Sequence, residues 1–217
     1  MKTIPKTRPV EAKLIITALS GITRLQILRI LIESREALTA SEISSRLGLS
    51  LPTTLVHINQ LASAGLIKWI YVKRGKRLIR AYRVPERDLV LSLDLYALAL
   101  TPSLDELDEL LEDFLNRYRE LKELPSLPSL EEVEKVLKVN RYTALALLDY
   151  LRVSEDKVAE KLAEELRSKI EERGEMSLEE VSKELRVHEY WAVQVARKLE
   201  EQGGFILERG TLRKIIE

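Results

Sequence analysis

Residues 39–67 constrain the fold of this chain more than any other stretch. Thr39 and Glu42 have the spacing of a capping box, which predicts the start of a short helix, and Gly48 suits its end. Ser50 then predicts the N-cap of a second helix, whose apolar residues recur at helical spacing. Two short helices joined by so tight a turn predict a helix-turn-helix, whose second helix can enter the major groove of DNA.

The period of the sequence changes directly after this motif. Residues 69–72 and 78–84 are β-rich runs, and the segment 73–77 between them has a central glycine, so the pattern predicts a β-hairpin. Four of the five residues in the turn are cations. A hairpin that follows a recognition helix is the wing of a winged helix. We expect its cations to contact phosphate groups, and a merely solvated turn is the alternative.

Charge is distributed unevenly along the 217 residues. The formal net charge is zero, yet residues 1–100 carry 16 cations and 7 anions, a balance of +9. Residues 101–130 have 3 against 8, or −5, and residues 131–217 have 16 against 20, or −4. A basic first part on a neutral chain predicts a polyanionic partner for that part.

Beyond the wing, residues 86–100 are so apolar that they predict a helix buried on several sides, which a second subunit could cover. A heptad seam follows between Leu104 and Leu121, and Pro125 to Pro128 predict a linker. We therefore expect three parts. They are a winged helix-turn-helix domain at 1–88, dimerisation and linker helices at 89–128, and a second winged-helix-like domain at 129–217.

An internal repeat supports the last of these domains. A shift of 138 residues aligns Thr39 with Ser177, Glu42 with Glu180 and the terminating Gly65 with Gly203. Residues 205–216 then predict another hairpin, which turns at Arg209 and Gly210. Chance similarity between two amphipathic helix pairs is the alternative. The fold class predicted is thus mainly α with small β-hairpin wings, in which dimerisation and heptad helices join two winged helix-turn-helix domains.

The first hundred residues resemble the ArsR-type winged-helix repressors of archaea and bacteria. The matching segments are 18–31, with the sequence ALSGITRLQILRIL, and 49–67, which contains His57 and closes with AGLI. The resemblance implies a homodimer whose interface contains the first helix and the helix after the wing. Many members of that family sense metals through Cys and His clusters, but this chain has no Cys and two His. We therefore expect no metal site and no cofactor.

Candidate DNA-binding residues lie on the outward side of the recognition helix and in the wing. They are Ser50, Thr53, Thr54, Val56, His57, Gln60, Lys73, Arg74, Lys76 and Arg77. His57 could equally be a partly packed polar residue. Candidate dimer-interface residues follow from the resemblance and from the apolar stretch, and they are Leu14, Ala18, Leu89, Leu93, Tyr96 and Leu100.

These observations predict a homodimeric, sequence-specific transcriptional regulator that binds double-stranded DNA. The alternative is a tandem winged-helix interaction module or a subunit of a chromatin or transcription complex. The acidic C-terminal domain is then a candidate site for a protein partner, and whether that domain binds DNA or protein stays open. No catalytic motif is present, so an enzyme is not expected. The sequence contains neither a signal peptide nor an apolar run of about 18 residues, so we expect a cytoplasmic, nucleoid-associated protein without a membrane span.

Overall fold

A computed structural model of the chain describes residues 2–34, 36–74, 77–86 and 88–215. The chain divides into two compact units, Met1–Ala99 (unit 1) and Leu100–Glu217 (unit 2). Residues 89–99 therefore belong to unit 1 and residues 100–128 to unit 2. They do not form the intermediate segment that the sequence predicted.

Unit 1 contains five helices and five short strands among its described residues. In chain order they are β1 (Lys2–Ile4), α1 (Pro9–Leu19), α2 (Ile22–Glu33), β2 (Leu38–Thr39), α3 (Ala40–Leu47), α4 (Leu51–Ser63), β3 (Lys68–Arg74), β4 (Arg77–Arg83), β5 (Leu89–Leu91) and α5 (Leu95–Ala99).

One hydrophobic core holds these elements together. Ile27 of α2, Ile43 of α3, Ile58 of α4 and Tyr82 of β4 are buried in the same cluster. Strand β4 is the centre of a three-stranded antiparallel sheet of order β2-β4-β3, in which Thr39 pairs with Ala81. The sheet thus anchors the hairpin to the helix pair α3–α4, and the predicted hairpin is confirmed for residues 68–74 and 77–83.

The single apolar helix predicted over residues 86–100 is wrong. Leu89–Leu91 form β5, which pairs in parallel with β1 at the other end of the unit, and only Leu95–Ala99 are helical. Asp94 marks the start of the short helix, because its Oδ1 accepts hydrogen bonds from the amides of Tyr96 and Ala97 and so caps the N-terminus of α5. The apolar pattern could not distinguish a strand followed by one helical turn from a continuous buried helix.

Unit 2 contains six helices and three strands among its described residues. In chain order they are α6 (Leu104–Leu121), α7 (Leu130–Leu137), α8 (Arg141–Val153), α9 (Glu155–Arg173), β6 (Glu175–Ser177), α10 (Leu178–Leu185), α11 (Glu189–Gln202), β7 (Phe205–Glu208) and β8 (Thr211–Lys214).

The predicted heptad seam lies on α6. Leu107, Leu111 and Phe114 on this seam are fully buried, and α6 packs against α7 and α8 of its own unit. The seam residues at the two ends, Leu104 and Leu121, are exposed. The central residues of the seam therefore pack within unit 2 and stabilise that unit.

The segment from Pro125 to Pro128 is not a free linker. Leu124, just before it, is buried and exchanges backbone hydrogen bonds with Arg186 and His188, and the indole of Trp191 donates to the carbonyl of Pro125. These contacts fix the segment against the beginning of α11, so the prolines here terminate a helix inside a folded unit.

The internal repeat corresponds to a repeat of topology. Both units contain a strand, two helices and a hairpin in the same order, and their sheets have equivalent strand orders, β2-β4-β3 and β6-β8-β7. Thr39 with Glu42, and Ser177 with Glu180, form complete capping boxes. The turn predicted at Arg209 is also present, since that residue has a positive φ of 49° between β7 and β8.

Among the described residues, no single helix is long and apolar enough to cross a membrane. The pair α1 and α2, bent by 90°, would satisfy the requirement together in length and composition only.

Candidate nucleic-acid interface

The N-terminal end of α4 is fixed by hydrogen bonds on both sides of the turn. Ser50 accepts a hydrogen bond from the amide of Thr53 through its Oγ at 3.2 Å, and the two hydroxyls lie 2.7 Å apart. In the turn before it, Gly48 has the left-handed φ of 67°, and the Ser44 hydroxyl donates to the Leu49 carbonyl at 2.6 Å. An ordered helix N-terminus with exposed polar groups is suited to approach an anion.

The outward side of α4 carries most of the predicted reading residues. Thr53 and Gln60 are exposed, and Val56 has 56% of its surface exposed. Thr54 differs, because it is fully buried and its hydroxyl donates to the carbonyl of Ser50 at 2.9 Å. The prediction that Thr54 contacts DNA is therefore wrong, since Thr54 lies on the core side of the helix.

His57 is half-buried at the edge of this surface. Its Nδ1 is buried and has no hydrogen-bond partner within the described part of the chain. The ring is thus turned with one nitrogen toward the protein. His57 is thus partly packed, as one interpretation of the sequence has it, and it also borders the exposed side of α4 where the DNA-binding candidates lie.

Arg24, at the beginning of α2, organises this surface and was not singled out from the sequence. Its guanidinium donates to the carbonyls of Thr17 and Ala18 at 2.9 and 2.7 Å, and to Oε1 of Gln60 at 2.7 Å. Arg24 therefore satisfies two carbonyls at the C-terminal end of α1 and fixes the orientation of Gln60, a predicted DNA-binding residue. Gly21 leaves the space for it, because a Cβ there would lie 2.4 Å from the Arg24 Cζ.

The hairpin β3–β4 supplies a strongly basic surface. Residues 68–83 contain seven cations and no acidic residue. Lys73 and Arg77 are exposed and make no ion pair with any other residue that the structure describes. Lys76 lies outside the described residues, as does the glycine before it. Lys73 and Arg77 are therefore available to phosphate groups.

Arg74 is partly neutralised by its own unit. Its guanidinium lies 3.4 Å from a carboxylate oxygen of Glu36 and 3.6 Å from one of Glu42. The Thr39 amide that donates to Glu42 holds the pKa of that carboxyl below its usual value, and Arg74 contributes in the same direction. Arg74 thus connects the hairpin to the N-terminus of α3, and it is a weaker candidate for phosphate contact than Lys73 or Arg77.

Three of the predicted dimer-interface residues contribute to unit 1 itself. Ala18 is buried in the core with 3% of its surface exposed, so its predicted contact with a second subunit is wrong. Leu14 and Leu89 are half-buried and pack against the same core. The first helix therefore uses its apolar face mainly for its own fold.

The other three are exposed. Leu93, Tyr96 and Leu100 expose 42%, 74% and 51% of their surfaces, and Val90 and Leu95 beside them expose 45% and 72%. Leu100 belongs to unit 2, but the other four lie within seven residues of unit 1, and so many exposed apolar side chains there mark a surface that another molecule could cover.

Potential metal ligands are scattered. The described ranges contain no group of three or more His, Asp or Glu side chains that could hold a metal ion, and the chain has no Cys.

Part of unit 1 matches a known family of domains. Residues 23–68, which span α2 to the start of β3, match the family model of a helix-turn-helix domain. The solved structure of an ArsR-like transcriptional regulator from Rhodococcus sp. RHA1 is 25% identical and covers 52% of this chain and 90% of that one, with a TM-score of 0.29. No curated protein is significantly similar to the chain. The match of residues 23–68 to the family model confirms the predicted helix-turn-helix.

Proposed function

We propose that this protein is a DNA-binding transcriptional regulator in which α4 reads the major groove and the β3–β4 hairpin contacts phosphates. One observation carries the proposal. The helix-turn-helix presents an ordered, polar and unobstructed helix face within a unit whose hairpin has seven cations and no acids. Helix, turn and basic hairpin together are the parts that a winged helix uses on duplex DNA.

Gln60 is the residue we assign to base recognition. With its Oε1 bonded to Arg24, its amide nitrogen remains a donor, and such a donor suits the major-groove acceptors N7 of a purine and O6 of guanine. Replacing Gln60 by Ala should change the preference among sequences, by about 1–3 kcal/mol at the affected base pair.

The experiment is binding of the full-length protein to a library of genomic duplex fragments at two salt concentrations. Lys73→Ala and Arg77→Ala should weaken binding to all fragments similarly and should each reduce the salt dependence by about one unit of slope. Arg152→Ala, at an exposed cation of unit 2, is the matched control and should change neither. Binding that is indifferent to salt, or a wing variant that alters only preference, would contradict these roles.

We also propose a homodimer that joins through the exposed apolar surface around Leu93, Leu95 and Tyr96. Two recognition helices about 34 Å apart would then meet successive major grooves. Light scattering at micromolar concentration should give twice 24.9 kDa. Tyr96→Lys should shift this equilibrium toward the monomer, whereas a monomeric wild-type protein would remove the dimer from the proposal.

Unit 2 is proposed to be a second winged helix that binds protein in place of DNA. In α11, Trp191 and Val195 occupy the positions that correspond to Thr53 and His57, and both are buried. The face that reads DNA in unit 1 is thus closed by packing in unit 2. Residues 131–217 also have a net charge of −4, which repels phosphate at long range.

Substitutions in the full chain separate these two functions. Arg197→Ala on the exposed side of α11 should leave the duplex footprint and the sequence preference unchanged, whereas Gln60→Ala should change the preference. A footprint that is shortened by Arg197→Ala would show that unit 2 also contacts DNA.

A further inference from the structure

One face of the β3–β4 hairpin carries aromatic and cationic side chains side by side. In the antiparallel register Trp69 is paired with Tyr82, and Tyr71 is paired with Arg80. Paired residues on neighbouring strands point to the same face of a sheet, as do residues two apart on one strand. The four side chains therefore share one face, here called the aromatic face of the hairpin.

The contacts between these side chains form a continuous cluster. The ring centroids of Trp69 and Tyr71 lie 5.4 Å apart in an edge-to-face arrangement. The Arg80 Cζ lies 4.5 Å from the centre of the Trp69 ring and 5.8 Å from that of Tyr82. Arg80 thus lies between two rings, and cation–π contacts of this kind hold side chains in fixed orientations.

Burial changes along the cluster from its base to its outer end. Tyr82 is 4% exposed and belongs to the core of unit 1, whereas Trp69 is 46% exposed and Tyr71 64%. The base of the cluster is part of the core, whereas the outer rings keep a large share of their surface open to solvent. Large aromatic rings held in position on an exposed surface are typical of binding sites.

The charge around the aromatic face identifies the kind of partner. The seven cations of residues 68–83, with no acidic residue among them, favour a polyanion. In a duplex the flat faces of the bases are stacked inside and only their edges are accessible in the grooves. Exposed rings among cations therefore match unpaired nucleotides, whose bases can stack on them while the backbone contacts the cations.

We propose that the aromatic face of the hairpin binds single-stranded nucleic acid, with Tyr71 and Trp69 as stacking platforms for unpaired bases. Arg80 holds the Trp69 ring in position, and Lys73, which is exposed at the outer end of β3, contacts the phosphate backbone. This activity goes beyond the proposed duplex recognition, because unpaired bases stack on the rings of the hairpin, whereas the duplex offers only phosphates to it. It gives the protein a way to hold a strand that has been separated from its complement.

The first test measures binding of the full-length protein to a fluorescent 20-nucleotide oligothymidine and to a duplex of the same length at one salt concentration. Tyr71→Thr removes the ring and keeps strand propensity, and it should weaken binding to the single strand by roughly 5- to 100-fold. Tyr71→Phe keeps the ring and should bind like the wild type. Binding of the duplex should change less than about 2-fold in both variants, because base faces are not accessible there.

A second readout uses the two tryptophans of the chain, of which Trp69 is 46% exposed and Trp191 only 3%. In a Trp191→Phe background, the single strand should quench the emission of Trp69, since a stacked base is in direct contact with the indole. In a Trp69→Phe background the emission of Trp191 should not respond.

Three results would overturn the proposal. They are equal single-strand affinity in Tyr71→Thr and the wild type, equal losses on the single strand and the duplex, and a change in oligomeric state on Tyr71→Thr, which would make the face an interface between copies. None of these results affects the assignment of α4, whose own test is the altered sequence preference of Gln60→Ala.

Discussion

Replacing Gly21 by alanine should destabilise unit 1 indirectly, by displacing the side chain of Arg24. The backbone of Gly21 has φ −94° and ψ 123°, which alanine adopts without strain. The added Cβ, however, would lie 2.4 Å from both Cζ and Nη2 of Arg24. Because the end of a flexible side chain moves more easily than the backbone, we expect the guanidinium to leave its position.

The size of the effect follows from the bonds that Arg24 makes. It donates to two carbonyls at the end of α1 and to Gln60, at 2.7–2.9 Å. A charged hydrogen bond contributes about 1.5–3 kcal/mol at most, and partial exposure and replacement by water reduce this, so all three together should contribute about 2 kcal/mol. Alanine is also a poorer N-cap for α2 than glycine, by roughly 0.5 kcal/mol. The free energy of unfolding should thus fall by about 2 kcal/mol in Arg24→Ala and by slightly more in Gly21→Ala.

The double variant provides the decisive measurement. If both changes act by removing the same three bonds, Gly21→Ala should cost only about 0.5 kcal/mol when Arg24 is already alanine, a coupling of about 2 kcal/mol. In a Trp191→Phe background, Trp69 is the one remaining tryptophan, so its fluorescence during urea unfolding reports on unit 1 alone. Additive losses in the double variant would refute the reasoning, since they would mean that the Gly21 substitution acts by some route other than Arg24.

Two other outcomes can be measured on the same protein. The Lys122 ammonium, and then the Ser129 amide, lower the pKa of Glu132 to about 2, so the stability that this carboxylate contributes is present above its ordinary pKa of 4.5 and is lost as the pH falls from about 4.5 to 2. Because the pair is partly exposed, the free energy of unfolding should fall by only about 1 kcal/mol, and the urea midpoints at pH 7 and pH 3 should differ less in Glu132→Gln than in the wild type. Thr54→Val should lower stability by about 1 kcal/mol, because one buried hydrogen bond is lost, and should leave duplex affinity unchanged in a titration of the same operator.

The helix-turn-helix could be predicted from the sequence because local interactions determine it. Thr39 and Glu42 form the capping box that their spacing predicts, and Gly48 has the left-handed conformation that ends α3. The order of two helices and a hairpin in residues 178–214 could also be predicted, because the caps and apolar positions recur with it. In these segments the helix propensity, the spacing of apolar residues and the tertiary packing all favour the same structure.

The errors have a common origin in long-range packing. Residues 89–91 became a strand because β1 provides a parallel partner 87 positions earlier, which no local pattern records. Thr54 was assigned to the DNA surface although the helix turns its side chain to the core, where a bond to the Ser50 carbonyl satisfies the hydroxyl. Arg24 was missed because its role depends on Gln60, 36 residues away in the sequence. Helical spacing identifies a face, but it does not identify which polar residues at the edge of that face are covered.

The two helix pairs illustrate why topology alone does not determine function. In α4 the positions that correspond to Trp191 and Val195 hold Thr53 and His57, which keep a polar surface open to a ligand. In α11 the Trp191 indole donates to the Pro125 carbonyl, and Val195 is fully buried in unit 2. A DNA-reading face must be both polar and uncovered, and the second copy has neither property at these positions. The same order of strands and helices can thus leave the proposed recognition surface open in one unit and bury the corresponding positions in the other.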